Sequence, residues 1–159
     1  MTAPPNPQVA RLTDADWRVF STVRLRALWD SLGSDDPQYL RESAFTSAQW
    51  RRRLREQAQF AAIVDGAAVG LIGAQQENPQ TVYLYSLWLD PGARGRGLAH
   101  GLITAAVEWA TTRRAHTVRL RVAADNTVAR AIYESVGFTI TNSETAAAHG
   151  ELAMTLTVS

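Results

Sequence analysis

One stretch restricts the fold more than any other: Leu84-Tyr-Ser-Leu-Trp-Leu-Asp-Pro-Gly-Ala-Arg-Gly-Arg-Gly-Leu-Ala-His-Gly-Leu-Ile103. Leu84 to Leu89 is almost wholly apolar, as a strand buried on both faces should be, and Asp90-Pro91-Gly92 ends the ladder and turns the chain. Arg94 to Gly97 follows with glycine at alternate positions, after which Leu98, Leu102, Ala105 and Trp109 recur at helical spacing. A helix that starts on a glycine-rich turn presents N–H groups with no partner inside the helix. The peptide dipoles add partial positive charge there, so the turn suits a phosphate or pyrophosphate, and Arg94 and Arg96 add to that bias.

Three anion-binding motifs compete for this turn. A P-loop needs a lysine, and all 16 basic residues of the chain are arginine. A dinucleotide fingerprint would begin at Gly95 and Gly97, but its third glycine position is His100 and no carboxylate stands about 20 residues further on. The pattern that remains is R-x-x-G-x-A, here Arg94-Gly95-Arg96-Gly97-Leu98-Ala99.

A chain of 159 residues fits one domain, expected over residues 8–159 behind a disordered proline-rich arm at residues 1–7. A formal net charge of +1 gives no reason to invoke nucleic acid or a membrane surface as partner. No apolar run approaches the roughly 18 residues of a spanning helix and the first residues lack a targeting pattern, so a cytoplasmic location is expected. The absence of cysteine excludes disulfides, thiolate zinc sites and an acyl-cysteine mechanism. His100, His116 and His149 stand at no metal-ligand spacing, so no metal is expected.

Read in order, Val9 to Leu12 suggests an edge strand. Asp14 to Leu32 suggests a helix with an apolar stripe of Val19, Val23, Leu25, Ala27, Leu28 and Leu32. Gly33 to Phe45 reads as a loop carrying Asp35, Asp36 and Glu42, and Ser47 to Gln57 as a second helix capped by Thr46. In that helix Trp50, Leu54 and Ala58 form one buried stripe, which leaves the run Arg51-Arg-Arg53 and Arg55 on a solvated face. Phe60 to Val64, Asp65-Gly66 and Ala67 to Ala74 read as a tight hairpin, and Thr81 to Leu89 as the long central strand. A helix from Gly97 to about Arg113 and an alternating strand from Thr117 to Val122 make a right-handed parallel crossover. A last helix begins at Asp125 or Asn126 and stops at Gly137 in a left-handed conformation. Phe138 to Thr141 and Leu152 to Val158 read as final strands, joined by a polar connection.

That last helix lies in Asn126-Thr-Val-Ala-Arg-Ala-Ile-Tyr-Glu-Ser-Val-Gly-Phe138, which has the form N-x-x-A-x-x-x-Y-x-x-x-G-F. Together with R-x-x-G-x-A before it, in the same order and joined by a helix and a strand, it resembles the GNAT superfamily of acetyl-CoA-dependent N-acetyltransferases. The resemblance covers about Phe60 to the C-terminus well and the N-terminal third only in pattern. It implies an α/β (α+β type) single-domain fold, with a mixed central sheet of about six to seven strands, flanking helices and a splayed parallel strand pair ending at Leu89 and Val122. Acetyl-CoA would be the co-substrate, with its pantetheine arm between those strands. The Leu87 N–H would hold the developing oxyanion, and Trp88 and Leu89 would line the arm, Leu89 pairing with its amides. Arg94, Gly95, Arg96, Gly97, Leu98 and Ala99 would cradle the pyrophosphate. Asn126 and Ala129 would meet the pantetheine or its adenosine side, and Tyr133 would be the general acid for the departing thiolate.

The family pattern leaves the base open. In the histone-acetylating branch a glutamate occupies the position of Tyr83, and in ribosomal-protein-acetylating relatives one occupies that of Arg121. Glu42, Glu77, Glu144, Glu151 and Tyr85 are the remaining candidates to reach the acceptor. Tyr83, Tyr85, Asp35, Asp36 and Glu42 are expected to bind it, and the acidic loops favour a cationic small molecule. The leading expectation is acetyl transfer to a primary amine of a small molecule by direct attack in a ternary complex. A protein N-terminus or lysine is the alternative acceptor, and a noncatalytic acyl-CoA sensor the alternative class; a homodimer is a candidate assembly.

Overall fold

The computed structural model describes residues 7–141 and 150–158. The expected arm at residues 1–7, save Pro7, lies outside the described residues, as do Glu144, His149 and most of the polar connection. Seven strands form one mixed sheet: β1 Gln8–Leu12, β2 Ala58–Val64, β3 Ala67–Asn78, β4 Thr81–Leu89, β5 Thr117–Ala123, β6 Thr139–Ile140 and β7 Glu151–Thr157. Their order is β1-β2-β3-β4-β5-β7-β6, antiparallel throughout except for the parallel central pair β4 and β5. Asp65 at φ 52° and Gly66 at φ 80° make the tight turn between β2 and β3, matching the right-handed twist of a hairpin.

The two faces of the sheet carry separate cores. On one face α4 Leu98–Thr112 and α5 Thr127–Val136 cover Ile72, Val82, Leu84, Val118, Leu120 and Met154. On the other, α1 Trp17–Leu32 and α3 Ser47–Glu56 enclose Phe20, Val23, Trp50 and Leu54 over Ala61, Leu71 and Trp88. Thr46 and Gln49 form a reciprocal capping box at the start of α3, with Gln49 N–H donating to the Thr46 hydroxyl at 3.2 Å and Thr46 N–H to Gln49 Oε1 at 2.7 Å.

Three sequence expectations are corrected. The α1 stripe is Phe20, Val23, Ala27 and Leu28 with Arg24, while Val19 and Leu32 are exposed. The supposed loop from Gly33 to Phe45 contains a helix, α2 Pro37–Ser43, because Pro37 sits at its first turn and the Asp36 carboxylate accepts from the Gln38 N–H at 2.8 Å. The arginines of α3 are not uniformly solvated, since Arg53 turns inward to Glu42.

The central pair is joined only at one end. β4 and β5 pair from Thr81 with Thr117 to Tyr83 with Arg119, and no further, although both strands continue. Against β3, Leu71 opposes Trp88 while Gly73 opposes Tyr85, so Ser86 and Leu87 together face Ile72. This is a β-bulge, with Ser86 at φ 56°, and it bends β4 away from its parallel neighbour.

Candidate active site

A cavity of about 800 Å³ opens where β4 leaves β5. Its wall includes Leu87, Trp88 and Leu89 of β4, Gly95, Gly97 and His100 of the turn and α4, and Asn126, Ala129 and Ile132 at α5. Gly95 at φ 79° and Gly97 at φ 78° both take the left-handed conformation that favours glycine. A Cβ built at either meets nothing within 4 Å, so open space lies beside the turn's backbone. Gly97 is the N-cap of α4 and has no side chain to satisfy the first helix N–H groups. The turn therefore combines unpaired donors, a helix dipole and room for a pyrophosphate.

Most sequence-derived cofactor residues converge here: Leu87, Trp88, Leu89, Arg94, Gly95, Gly97, Ala99, Asn126 and Ala129 line this one cavity. Arg96, Leu98 and Tyr133 do not. Leu98 is buried in the core, and Arg96 is exposed. The Arg94 guanidinium bends back, donating from Nε to the Leu89 carbonyl and from Nη2 to Asp30, each at 3.1 Å. Asp30 also accepts from the Trp88 indole at 2.9 Å, so one α1 carboxylate fixes both the end of β4 and the phosphate turn. The Asn126 side chain accepts from the Ala129 N–H at 3.1 Å and so caps α5 at the cavity's edge. Ser31, His100, Val128, Ile132 and Ser135 also line the cavity and carry no motif position that could have announced them.

Tyr133 is buried in the core on the α4–α5 face, its ring 5.8 Å from that of Phe138 in an edge-on arrangement. Gly137 at φ 118° ends α5 and lets Phe138 fold back, its N–H bonding the Tyr133 carbonyl at 3.1 Å. Burial pushes the Tyr133 phenol up to about 12, with a smaller contribution from Tyr83. The phenol is thus a neutral donor across the working pH range.

On the opposite face a second cavity of about 240 Å³ is lined by Arg24, Ala27, Leu28, Ser31, Leu32, Gln38, Ser86, Leu87 and Trp88. The two cavities share Ser31, Leu87 and Trp88, so the bulge is their common wall. Beyond the bulge, Tyr83 and Tyr85 stack with centroids 6.2 Å apart, and Arg119 lies 4.7 Å over the Tyr83 ring. Tyr85 lies against Gly73, where a side chain would collide with its ring. The Tyr85 hydroxyl donates to Gln57 and accepts from Gln59 at 2.8 Å. Burial raises its pKa, opposed by the charges of Arg53 and Arg24 and the Gln59 hydrogen bond.

The acidic acceptor residues are placed differently from expectation. Asp35 is exposed, Asp36 is engaged as the α2 cap, and none of Asp35, Asp36 and Glu42 lines the smaller cavity. Glu42 is buried and accepts from Arg24 at 3.1 and 3.3 Å, from Arg53 at 2.6 Å and from Gln38 at 2.9 Å. Burial alone would raise its pKa, but the Arg24 and Gln38 hydrogen bonds and the two guanidinium charges hold it at about 2. It anchors the three helices and also lines a separate cavity of about 390 Å³ with Arg41, Arg53 and Gln57. Glu77 is paired with Arg119, and Glu151 is exposed at the start of β7. Among the described residues no group of His, Asp and Glu is arranged to hold a metal, and no helix is long and apolar enough to cross a membrane.

The model of the acetyltransferase (GNAT) family matches residues 23–138. The chain belongs to that family. Within it, 75 residues are 39% identical to mycothiol acetyltransferase of Beutenbergia cavernae, covering 47% of this chain and 25% of that protein. The aminoglycoside N(6')-acetyltransferase type 1 of Salmonella typhimurium is 27% identical over 51% of this chain and 61% of its own length. The chain thus spans less than two thirds of the curated relatives it matches. Among solved structures, a GNAT acetyltransferase of Streptococcus pneumoniae superposes with a TM-score of 0.75 at 18% identity, covering 96% of this chain and 100% of that one. The PaiA N-acetyltransferase of Thermoplasma acidophilum, solved in complex with coenzyme A, superposes with a TM-score of 0.74 at 15% identity, over 96% and 99% of the two chains. These likenesses establish the mixed-sheet GNAT fold with its parallel β4–β5 pair.

Proposed function

We propose that this GNAT protein transfers an acetyl group from acetyl-CoA to a primary amine of a small molecule, by direct attack in a ternary complex. The observation that carries the reading is the pair of cavities, one large and seated on the phosphate turn, one small and on the opposite face, with the β4 bulge as their shared wall. The coenzyme A complex of the Thermoplasma PaiA protein, and relatives named for mycothiol and aminoglycosides, support the same donor and a small acceptor.

Acetyl-CoA supplies the thioester. The backbone of Gly95 to Ala99 holds its pyrophosphate, and Leu89 engages its pantetheine amides. At the bulge the Leu87 N–H donates to the carbonyl oxygen and stabilises the charge that develops there. The amine enters from the smaller cavity, its nitrogen bonds the carbonyl carbon, the carbon–sulfur bond breaks, and the amine's proton leaves to water. Tyr133 donates its proton to the departing sulfur as the carbon–sulfur bond breaks, and water returns a proton to the phenolate. A phenol at about 12 is a weak acid beside an ordinary thiol near 8.5, so the transfer accompanies bond cleavage and does not precede it. Tyr85, raised by burial and hydrogen-bonded on both sides, shapes the acceptor side as a neutral phenol.

The test is release of free thiol from acetyl-CoA with a panel of small primary amines beside peptides bearing free N-termini or lysines. Turnover with small amines is expected. Turnover confined to peptides moves the acceptor to proteins, and no turnover with either, while acetyl-CoA binds, makes the chain a sensor.

A further inference from the structure

Arg24 is the only charged side chain on the wall of the smaller cavity among the described residues. It comes from the middle of α1, in the apolar stripe beside Val23 and Ala27, and is 6% exposed. Its Nε and Nη2 donate to Glu42, while Nη1 has no protein partner among the described residues. Nη1 is also not a sealed atom: the one sealed, unpartnered side-chain nitrogen among the described residues is Nε of Arg130. The unpaired edge of a nearly buried guanidinium therefore has an outlet, and the cavity it lines is that outlet.

The charge balance points the same way. Glu42 neutralises one positive charge, but it is shared between Arg24 and Arg53, whose side chains are 8% and 20% exposed. Arg53 also lines a solvent-open cavity of about 390 Å³ with Glu42 and Glu56, whereas the side chain of Arg24 is nearly buried and its unpaired edge is costly without an anionic partner. The remaining wall is apolar or neutral: Ala27, Leu28, Leu32, Leu87 and Trp88, with Ser31, Gln38 and Ser86. A protonated amine alone would meet an arginine, and no carboxylate lines this cavity among the described residues. An amine that carries its own carboxylate would supply the missing charge.

We infer that the acceptor is a small amino acid or a similar amine bearing a carboxylate, with the carboxylate seated on Arg24 and the amine directed at the Leu87 wall. This rests on the acetyl-transfer reading above and specifies its acceptor. A cavity of about 240 Å³ has room for roughly eight water-sized groups, which suits an amino acid. Gln38, already bound to Glu42, holds the acid that orients Arg24. Arg53 joins the same carboxylate from α3, so α1, α2 and α3 converge on the seat.

The experiment compares amino acids with their carboxamides, pair by pair, by thiol release from acetyl-CoA with the whole chain. The carboxylate member should be favoured roughly 10- to 100-fold in kcat/KM, as one charge-assisted contact supplies. Arg24→Gln should bring the two members level, and Arg24→Lys should keep part of the preference. Should Arg24→Gln fail to fold, calorimetry on the unchanged protein decides, with the N-acetyl amino acid expected to bind more tightly than its amide. Equal or reversed preference in the unchanged protein overturns the carboxylate assignment alone. A preference that survives in folded Arg24→Gln overturns the seat on Arg24. Thiol release from neither member of any pair, while other small amines are acetylated, overturns this inference and leaves the transfer reading standing.

Discussion

The two sides of the sheet build their sites from different material. On the side of the phosphate turn the material is backbone: left-handed glycines, unpaired N–H groups at the start of α4, and the bent end of β4. On the proposed acceptor side it is side chains held by other side chains, with Glu42 gathering Arg24, Arg53 and Gln38, and Gln57 and Gln59 fixing Tyr85. A backbone site tolerates most side-chain changes outside its glycines, whereas a side-chain network is sensitive at every member. Tyr133 is buried outside the walls of both cavities, and substitutions in the three places test the contrast.

The largest effect is expected at Tyr133, the proposed donor to the departing sulfur. Tyr133→Phe keeps the ring against Phe138 and removes only the donor, so kcat should fall by roughly 10²- to 10⁴-fold with acetyl-CoA affinity little changed. Because burial raises this phenol to about 12, its ionisation lies above the working range, and the rise of rate with pH belongs to acceptor deprotonation. Steady-state profiles of both proteins should therefore share their ascending limb. An unchanged kcat in the folded variant would mean that water protonates the sulfur and that Tyr133 only packs.

Next comes Glu42, the anion that holds the acceptor side together. Its folded pKa of about 2 lies below the ordinary 4.5, so the unfolded chain takes up the proton first as pH falls. Its contribution to stability is full above about 4.5 and is lost as pH drops toward 2, a difference of about 3 kcal/mol. Glu42→Gln should lose a similar amount at neutral pH, about 3 to 5 kcal/mol, because two guanidiniums are left without their anion. Urea denaturation at pH 7 and pH 3 should show the two proteins drawing together in acid. Parallel acid dependences would remove Glu42 from its structural role.

The same contrast explains what the sequence revealed. Gly95, Gly97 and Gly137 are legible because each is a residue type that a backbone conformation requires, and that requirement is local. The hairpin at Asp65-Gly66 and the crossover through α4 were readable for the same reason. The Glu42 network is not local: Arg24, Gln38, Glu42 and Arg53 come from three helices, and an arginine within an apolar stripe carries no sign of its partner. The bulge at Ser86 was hidden too, since a non-glycine at positive φ inside an apolar strand gives no compositional signal. α2 was missed because its sequence begins with turn residues, although Asp36-Pro37 is also the cap and first position of a helix.

The smallest effect is the one that isolates the backbone. Arg96 is exposed and outside the cavity wall, so Arg96→Ala should change acetyl-CoA affinity only a few-fold, through the general field at the turn. Gly97→Asp offers the opposing case at the neighbouring position. Gly97 stands at φ 78°, where a side chain costs on the order of 1–2 kcal/mol, and it belongs to the cavity wall, where an added carboxylate would repel a pyrophosphate. Affinity should drop roughly 10- to 100-fold, while Gly97→Ala, which adds strain without charge, should fall between the two. Calorimetry with acetyl-CoA on the three variants ranks them directly. If Arg96→Ala proves the most damaging, side chains and not the turn's N–H groups hold the pyrophosphate, and the division between a backbone-built donor side and a side-chain-built acceptor side fails.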